Sequence, residues 1–280
     1  MKTIKNTIGL AFLTLLLSSC TTTFYQVYKA KPIDNLTTSD SSLVYEDENC
    51  MVSYNLWDDG GNVGFKFYNK TDQDIFVNLE ESFFIVNGVA YDYYKKRVFT
   101  NSASSGVATS KSATASKSVT GFNYLSLVQN NSIQASSSTG LITSSGYSTA
   151  YYEPSLIHIP AKTSKIISEY SINERLFRDC DLFKYPTKSQ IKTKSFSKAD
   201  SPIVFSNRIS YTVGATAEPI KFENEFYITE VTNYPEGEML ESRAKEYCEQ
   251  KSTTKSRFFK DVSPDKFYIK YSKGNDRWKH

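Results

Sequence analysis

Cys20 is the residue of this chain most clearly placed for chemistry. It closes Leu17-Ser18-Ser19-Cys20, directly behind an apolar run from Ile8 to Leu17, with Lys2 and Lys5 ahead of that run. A basic start, a short apolar stretch and small residues before a thiol make the layout of a secretory leader. The stretch is about ten residues long, too short to span a bilayer, which needs about 20. No A-x-A-like cleavage site occurs between Leu15 and Thr23, which argues against an ordinary secretory leader. The other reactive side chains form no constellation. His158 and His280 have no partner at metal-ligand spacing, and no Cys-x-x-Cys occurs. His158 reads as a satisfied strand residue within Leu156-Ile157-His158-Ile159-Pro160. Gly146-Tyr147-Ser148-Thr149-Ala150 lacks the strand–turn–helix context that activates a serine. Ser-x-x-Lys occurs at Ser189/Lys192, Ser195/Lys198, Ser242/Lys245, Ser252/Lys255 and Ser263/Lys266. Chance alone supplies roughly three or four matches in a chain so rich in both residues, so the motif is uninformative. Glu80 and Glu81 would point to opposite faces of a strand and make a poor acid–base pair. Asp58 and Asp59 sit in a Gly-rich stretch, where a plain turn is preferred over a calcium site. No catalytic residue, metal site or cofactor is assigned.

Leu17-Ser18-Ser19-Cys20 resembles the bacterial lipobox, in which a dedicated peptidase cuts before the cysteine and its sulfur carries a diacylglycerol. The resemblance implies Cys20 as the lipid-attachment residue and membrane lipid as a partner through an N-terminal acyl anchor. Each buried CH₂ contributes about 0.8 kcal/mol, so one chain binds marginally and several anchor firmly. Other stretches look like cell-envelope lipoproteins of Bacteroidetes over most of the mature chain. They are Asn69-Lys70-Thr71, Glu81-Ser82-Phe83-Phe84-Ile85-Val86-Asn87-Gly88, Ala90-Tyr91-Asp92-Tyr93-Tyr94, Ile166 to Ile172 and Phe222 to Tyr227. That likeness implies a cell-envelope address and brings no activity with it. Surface export in that phylum typically follows an acidic signal just after the cysteine. Thr21-Thr22-Thr23-Phe24 departs from it, which points to an outer-membrane lipoprotein facing the periplasm.

The elements that must position these residues read as strands. Phe24 to Tyr28, Leu43 to Tyr45, Met51 to Trp57, Val63 to Tyr68 and Ile75 to Leu79 are rich in strand formers. Asp58-Asp59-Gly60-Gly61-Asn62 reads as a hairpin turn, and Asn69-Lys70-Thr71-Asp72 as another. Asn87-Gly88 between apolar runs favours a type I′ turn, because both residues tolerate positive φ. Strands recur at Leu156 to Ile159, Lys165 to Ile172, Ile203 to Val213, Ile220 to Thr232 and Phe267 to Tyr271. Short antiparallel strands without helical periods predict a mainly β fold, an immunoglobulin-like β-sandwich. Leu240, Ala244, Tyr247 and Cys248 fall at i, i+4, i+7 and i+8, which predicts a short C-terminal helix opening after Pro235. Residues 100–149, dominated by Ser, Thr, Ala, Gly and Asn, read as a long mobile insertion.

The expected organisation is a signal peptide over 1–19, a lipid anchor and N-terminal segment over 20–42, a sandwich over 43–237, and a helix and strand over 238–280 docked on it. Removing Lys2 and Lys5 leaves 31 basic against 30 acidic residues, so nothing suggests a nucleic-acid partner. Basic residues concentrate between Lys251 and His280, acidic ones between Pro32 and Asp92. Cys50, Cys180 and Cys248 are odd in number and far apart, so at most one bridge can form. The leading expectation is a non-enzymatic structural or protein-interaction domain. The alternatives are a glycan-binding lipoprotein using exposed Tyr and Trp57, and an envelope hydrolase with carboxylates that one sequence does not reveal.

Overall fold

The computed structural model describes residues 22–33, 36–39, 41–105, 145–215 and 217–274; Cys20, the leader and 106–144 lie outside them. Of 101–105 and 145–149 only the backbone is described. The chain is mainly β. Its strands run β1 (Thr23–Pro32), β2 (Thr37–Thr38), β3 (Leu43–Glu46), β4 (Cys50–Tyr54), β5 (Phe65–Asn69), β6 (Ile75–Val86), β7 (Val89–Asp92), β8 (Val98–Ser105) and β9 (Ser145–Tyr152). They continue as β10 (Leu156–Ile159), β11 (Ser164–Ile167), β12 (Thr193–Ser195), β13 (Val204–Val213), β14 (Ile220–Pro235), β15 (Leu240–Tyr247), β16 (Gln250–Phe259) and β17 (Lys266–Ser272). An eight-stranded sheet has the order β10-β6-β13-β14-β1-β17, with β12 also on β14 and β7 also on β6. A five-stranded sheet has the order β11-β5-β4-β3-β2. All ladders between these strands are antiparallel.

Alternation builds the core. On β6, Ile75, Val77, Leu79 and Phe84 are buried, and Val52, Tyr54, Phe65 and Phe67 are buried on β4 and β5. Residues i and i+2 of a strand share a face, so each sheet turns one apolar face inward. The two faces share one hydrophobic cluster. Tyr54 meets Phe226 at 5.5 Å between ring centroids, and Phe67 meets Tyr211 at 5.5 Å. Aromatic pairs of this kind contribute about 0.5–1.5 kcal/mol beyond their area.

A thin polar layer runs through that core. The Tyr54 hydroxyl donates to Asn224 Oδ1 at 2.8 Å, and the Tyr93 hydroxyl donates to Asn207 Oδ1 at 2.7 Å. Burial pushes both phenols far above their usual range, so both stay donors. Asn207 Nδ2 reaches the Val63 carbonyl at 2.8 Å, but Asn224 Nδ2 has no partner. Tyr54→Phe would therefore strip a second hydrogen bond from a side chain that already lacks one. A loss of about 1–3 kcal/mol in denaturant unfolding is expected.

Several expectations hold in detail. Asn87 and Gly88 have φ of 47° and 80° and join β6 to β7. Phe24–Tyr28 is incorporated in β1, between β14 and β17. Two expectations are corrected. A helix does open after Pro235, but it is a single turn, α1 (Glu236–Met239). Leu240–Tyr247 are a strand paired with β16, and Cys248 and Glu249 form the turn with φ of 48° and 65°. Asp58–Asn62 does turn the chain between the antiparallel β4 and β5, with Gly61 N–H donating to the Asp58 carbonyl at 3.2 Å, but it is part of a longer loop than expected. Residues 55–64 swing out to bond the edge of β17: Gly60 N–H donates to the Tyr268 carbonyl at 2.7 Å, and Tyr268 N–H to the Asp58 carbonyl at 3.2 Å. The 100–149 segment is entered and left through paired strands, since β8 and β9 form a two-stranded ribbon.

Candidate functional site

β1 determines what lies near Cys20. The carbonyl of Thr22 accepts the Lys273 N–H at 3.0 Å, and Thr23 is already paired with Ser272. Two residues of chain reach at most about 7 Å, so a group attached at Cys20 stays close to this end of the sheet.

The irregular segment 173–185 covers that end, and buried amides hold it there. Gln26 Oε1 accepts the Phe177 N–H at 2.7 Å, and Gln26 Nε2 donates to the Phe177 carbonyl and to Asn233 Oδ1, both at 2.9 Å. Asn233 Nδ2 donates to the Phe183 carbonyl at 2.9 Å. The Tyr28 hydroxyl accepts the Phe177 N–H at 2.9 Å and donates to Gln26 Oε1. Phe24 packs 5.1 Å from Tyr185 and 5.7 Å from Tyr271. A groove of about 380 Å³ remains between segment and sheet, bordered by Gln26, Phe177, Cys180, Leu182 and Tyr271. Gln26 and Asn233 satisfy each other and the segment's backbone, so they fix a surface rather than wait for a ligand.

A second cluster, which the sequence did not disclose, stands at the foot of the β8–β9 ribbon. Arg97 precedes β8 and Glu153 follows β9. Arg97 Nε donates to Glu153 Oε1 at 3.0 Å, and its terminal nitrogens reach Glu169 at 2.7 and 2.9 Å. Glu153 Oε2 also accepts the backbone N–H of Lys95 at 2.9 Å and of Arg97 at 3.2 Å. Lys95 Nζ adds an ion pair to Glu169 at 2.8 Å. Burial works against the Glu153 charge. The Arg97 guanidinium and the two N–H groups outweigh it and hold the carboxyl below its usual range. General-acid catalysis needs a carboxyl held above that range, so Glu153 is built to stay ionised and to tie the ribbon down.

The remaining nominated residues are placed as follows. His158 is half exposed on β10, stacked on Phe76 at 5.0 Å, with Nε2 2.7 Å from Asp74 Oδ2. That hydrogen bond holds the Asp74 carboxyl low. Glu81 pairs with Lys221 at 2.8 Å and is held low by it, while Glu80 is exposed. Asp58 Oδ1 accepts the Asp59 N–H at 2.8 Å, and Asp59 Oδ1 accepts the Lys270 N–H at 3.1 Å. These are loop-shaping bonds, and burial raises the Asp59 carboxyl. In none of the five Ser-x-x-Lys pairs does the serine bond its lysine; Lys198 pairs with Glu225 and Lys266 with Asp261. Trp57 packs steeply against Phe259 at 5.1 Å and Tyr268 at 5.2 Å rather than lying open as a flat platform. Cys50 is buried, and burial together with Asp47 pushes its thiol up. Cys50, Cys180 and Cys248 are free thiols, and the latter two are exposed. Among the described residues, no group of three or more His, Cys, Asp or Glu converges as a metal site.

No protein-family model, curated protein or solved structure matches this chain. Among the described residues, no helix is long and apolar enough to cross a membrane.

Proposed function

We propose that this chain is a lipid-anchored, non-enzymatic interaction domain of the bacterial cell envelope, held through Cys20 to the outer membrane and facing the periplasm. The observation that carries this reading is the spacing of anchor and fold. The lipobox-like Leu17-Ser18-Ser19-Cys20 lies only two residues ahead of Thr22, where the first sheet bond is made. A domain on so short a leash works at the membrane surface. It has little reach across the envelope and suits membrane-proximal proteins as partners. The carboxylates of Glu153, Glu169, Asp74 and Glu81, engaged in ion pairs, and the Cys50 thiol, disfavoured as a thiolate by burial, support the non-enzymatic part.

The test is Cys20→Ala, followed by metabolic labelling with a fatty-acid analogue and membrane fractionation. Complete loss of label and of outer-membrane recovery is the expected result. A mutant that stays labelled would sink the proposal. Protease treatment of intact cells reads the orientation. Protection until the outer membrane is permeabilised is expected, and degradation in intact cells would move the domain to the cell surface.

A further inference from the structure

We propose that the anchor-proximal end of the large sheet is a lipid-contact face, in which Phe183, Lys184, Lys192 and Lys273 rest on an anionic headgroup surface. The inference rests on the acyl-anchor reading and adds which face meets the bilayer. Four observations lead to it. First, chain length fixes the distance. Cys20 is two residues from Thr22, at most about 7 Å, which is within the Debye length of about 8 Å at physiological salt. Lys273, bonded through its backbone to Thr22, therefore feels the surface potential of the leaflet first.

Second, the cations here sit over aromatic rings. Lys184 Nζ lies 4.8 Å and Lys273 Nζ 5.9 Å from the Tyr185 centroid, and Lys192 Nζ lies 5.7 Å from that of Phe183. Lys273 is fastened to the anchor strand by its backbone bond to Thr22. Third, Phe183 is 47 % exposed, an apolar ring among cations. Rings at the headgroup level with lysine heads beside them match an interface that is apolar below and wet and anionic above. Fourth, the acids of this end already have cationic partners, although Asp179 and Asp181 share one lysine. Asp179 and Asp181 pair with Lys194 at 3.3 and 2.9 Å, Glu238 with Lys188 at 3.1 Å, and Glu236 with Arg257 at 2.9 Å. Among the described residues no carboxylate pairs with Lys192 or Lys273. Among these described residues one carboxylate charge is left over, and Lys192 and Lys273 outweigh it, so the surplus is positive and complementary to phosphate headgroups.

The experiment uses the full lipoprotein in vesicles of phosphatidylcholine alone or of phosphatidylcholine with phosphatidylglycerol. A water-soluble amine-reactive ester labels the lysines, and mass spectrometry reads each site. Lys66 and Lys165, exposed on the five-stranded sheet, serve as references. Labelling of Lys184, Lys192 and Lys273 is expected to fall about fivefold in the anionic vesicles and to recover at high salt, with Lys66 and Lys165 unchanged. Equal labelling in both compositions, or an equal fall at the reference sites, would overturn the face. The triple variant Lys184→Glu, Lys192→Glu, Lys273→Glu should still float with neutral vesicles but lose the dependence on composition; retaining it would also overturn the face. Flotation with neutral vesicles reports the acyl anchor separately. If it fails, the anchor falls. The face then survives only if anionic vesicles still float the protein in a salt-sensitive way.

Discussion

Arg97→Ala is expected to cost about 3–5 kcal/mol of stability, because it leaves Glu153 buried and charged without its cation. Only 5 % of the Glu153 side chain is exposed, against 31 % of Arg97, so water admitted by the truncation offsets only part of the lost pairing. Glu169 would keep Lys95, but Glu153 would keep only two backbone N–H groups. Denaturant unfolding measures the loss, and amide exchange across Val98–Ser105 and Ser145–Tyr152 locates it. Those strands should exchange first, since an isolated two-stranded ribbon is marginal in water. Acid gives the sign. Glu153 titrates lower in the fold than in an unfolded chain, where a glutamate carboxyl has a pKa of about 4.3. Its contribution is present above that value and is lost as pH falls through the depressed folded value. The gap between wild type and variant should therefore close on acidification. A gap that stays constant down to strong acid would mean that Arg97 acts by packing instead.

Gly61→Ala is expected to destabilise by about 2–4 kcal/mol. The residue has φ of 77°, where an L side chain costs about 1–2 kcal/mol. An added Cβ would lie 2.8 Å from Ile172 Cδ1 and 2.8 Å from Phe267 Cγ, two core side chains with nowhere to move. Overpacking of this kind adds about 1–3 kcal/mol. Gly88→Ala separates the two causes. Gly88 has φ of 80° but nothing within 4 Å of the added atom, so only the backbone cost remains. Equal losses for the two variants in thermal unfolding would remove the packing argument. Combining Gly61→Ala with Ile172→Val should recover part of the loss.

The sequence made some of this legible for clear physical reasons. Asn87-Gly88 was readable because few residue pairs adopt two positive φ values in succession. β6, β14 and β17 of the large sheet were readable because burial alternates along them. Leu240–Cys248 misled because β15 is exposed on both faces. Period 2 then has no apolar side to mark, and four residues fell by accident on a helical spacing. Its turn, at Cys248 and Glu249, uses residues that give no warning of positive φ. Asp58–Asn62 reads as a hairpin turn because Gly60 and Gly61 suit a short turn and a longer loop alike. The positive φ of Gly61 and the approach of Ile172 and Phe267, distant in sequence, explain why glycine is required. The Arg97–Glu153 pair was hidden for the same reason, as its members are joined by the ribbon that they secure. The proposed anchor is the reverse case, since its motif lies entirely in local sequence.

β1 lies between β14 and β17, so the first strand of the domain finds its neighbours only in the last part of the chain. A polypeptide made from its N-terminus must carry Phe24–Lys31 without ladder partners until residue 220 and beyond has been delivered. The second edge closes only when Ser272 arrives. Assembly is therefore postponed to the end of synthesis or export, as expected for a topology dominated by distant pairings. In that interval the apolar strand nearest the leader is an open edge, vulnerable to pairing with other chains and suited to capture by a holding chaperone. Loss of β17 would leave that edge open for good, so premature termination near residue 265 should yield aggregation rather than a slightly shortened protein.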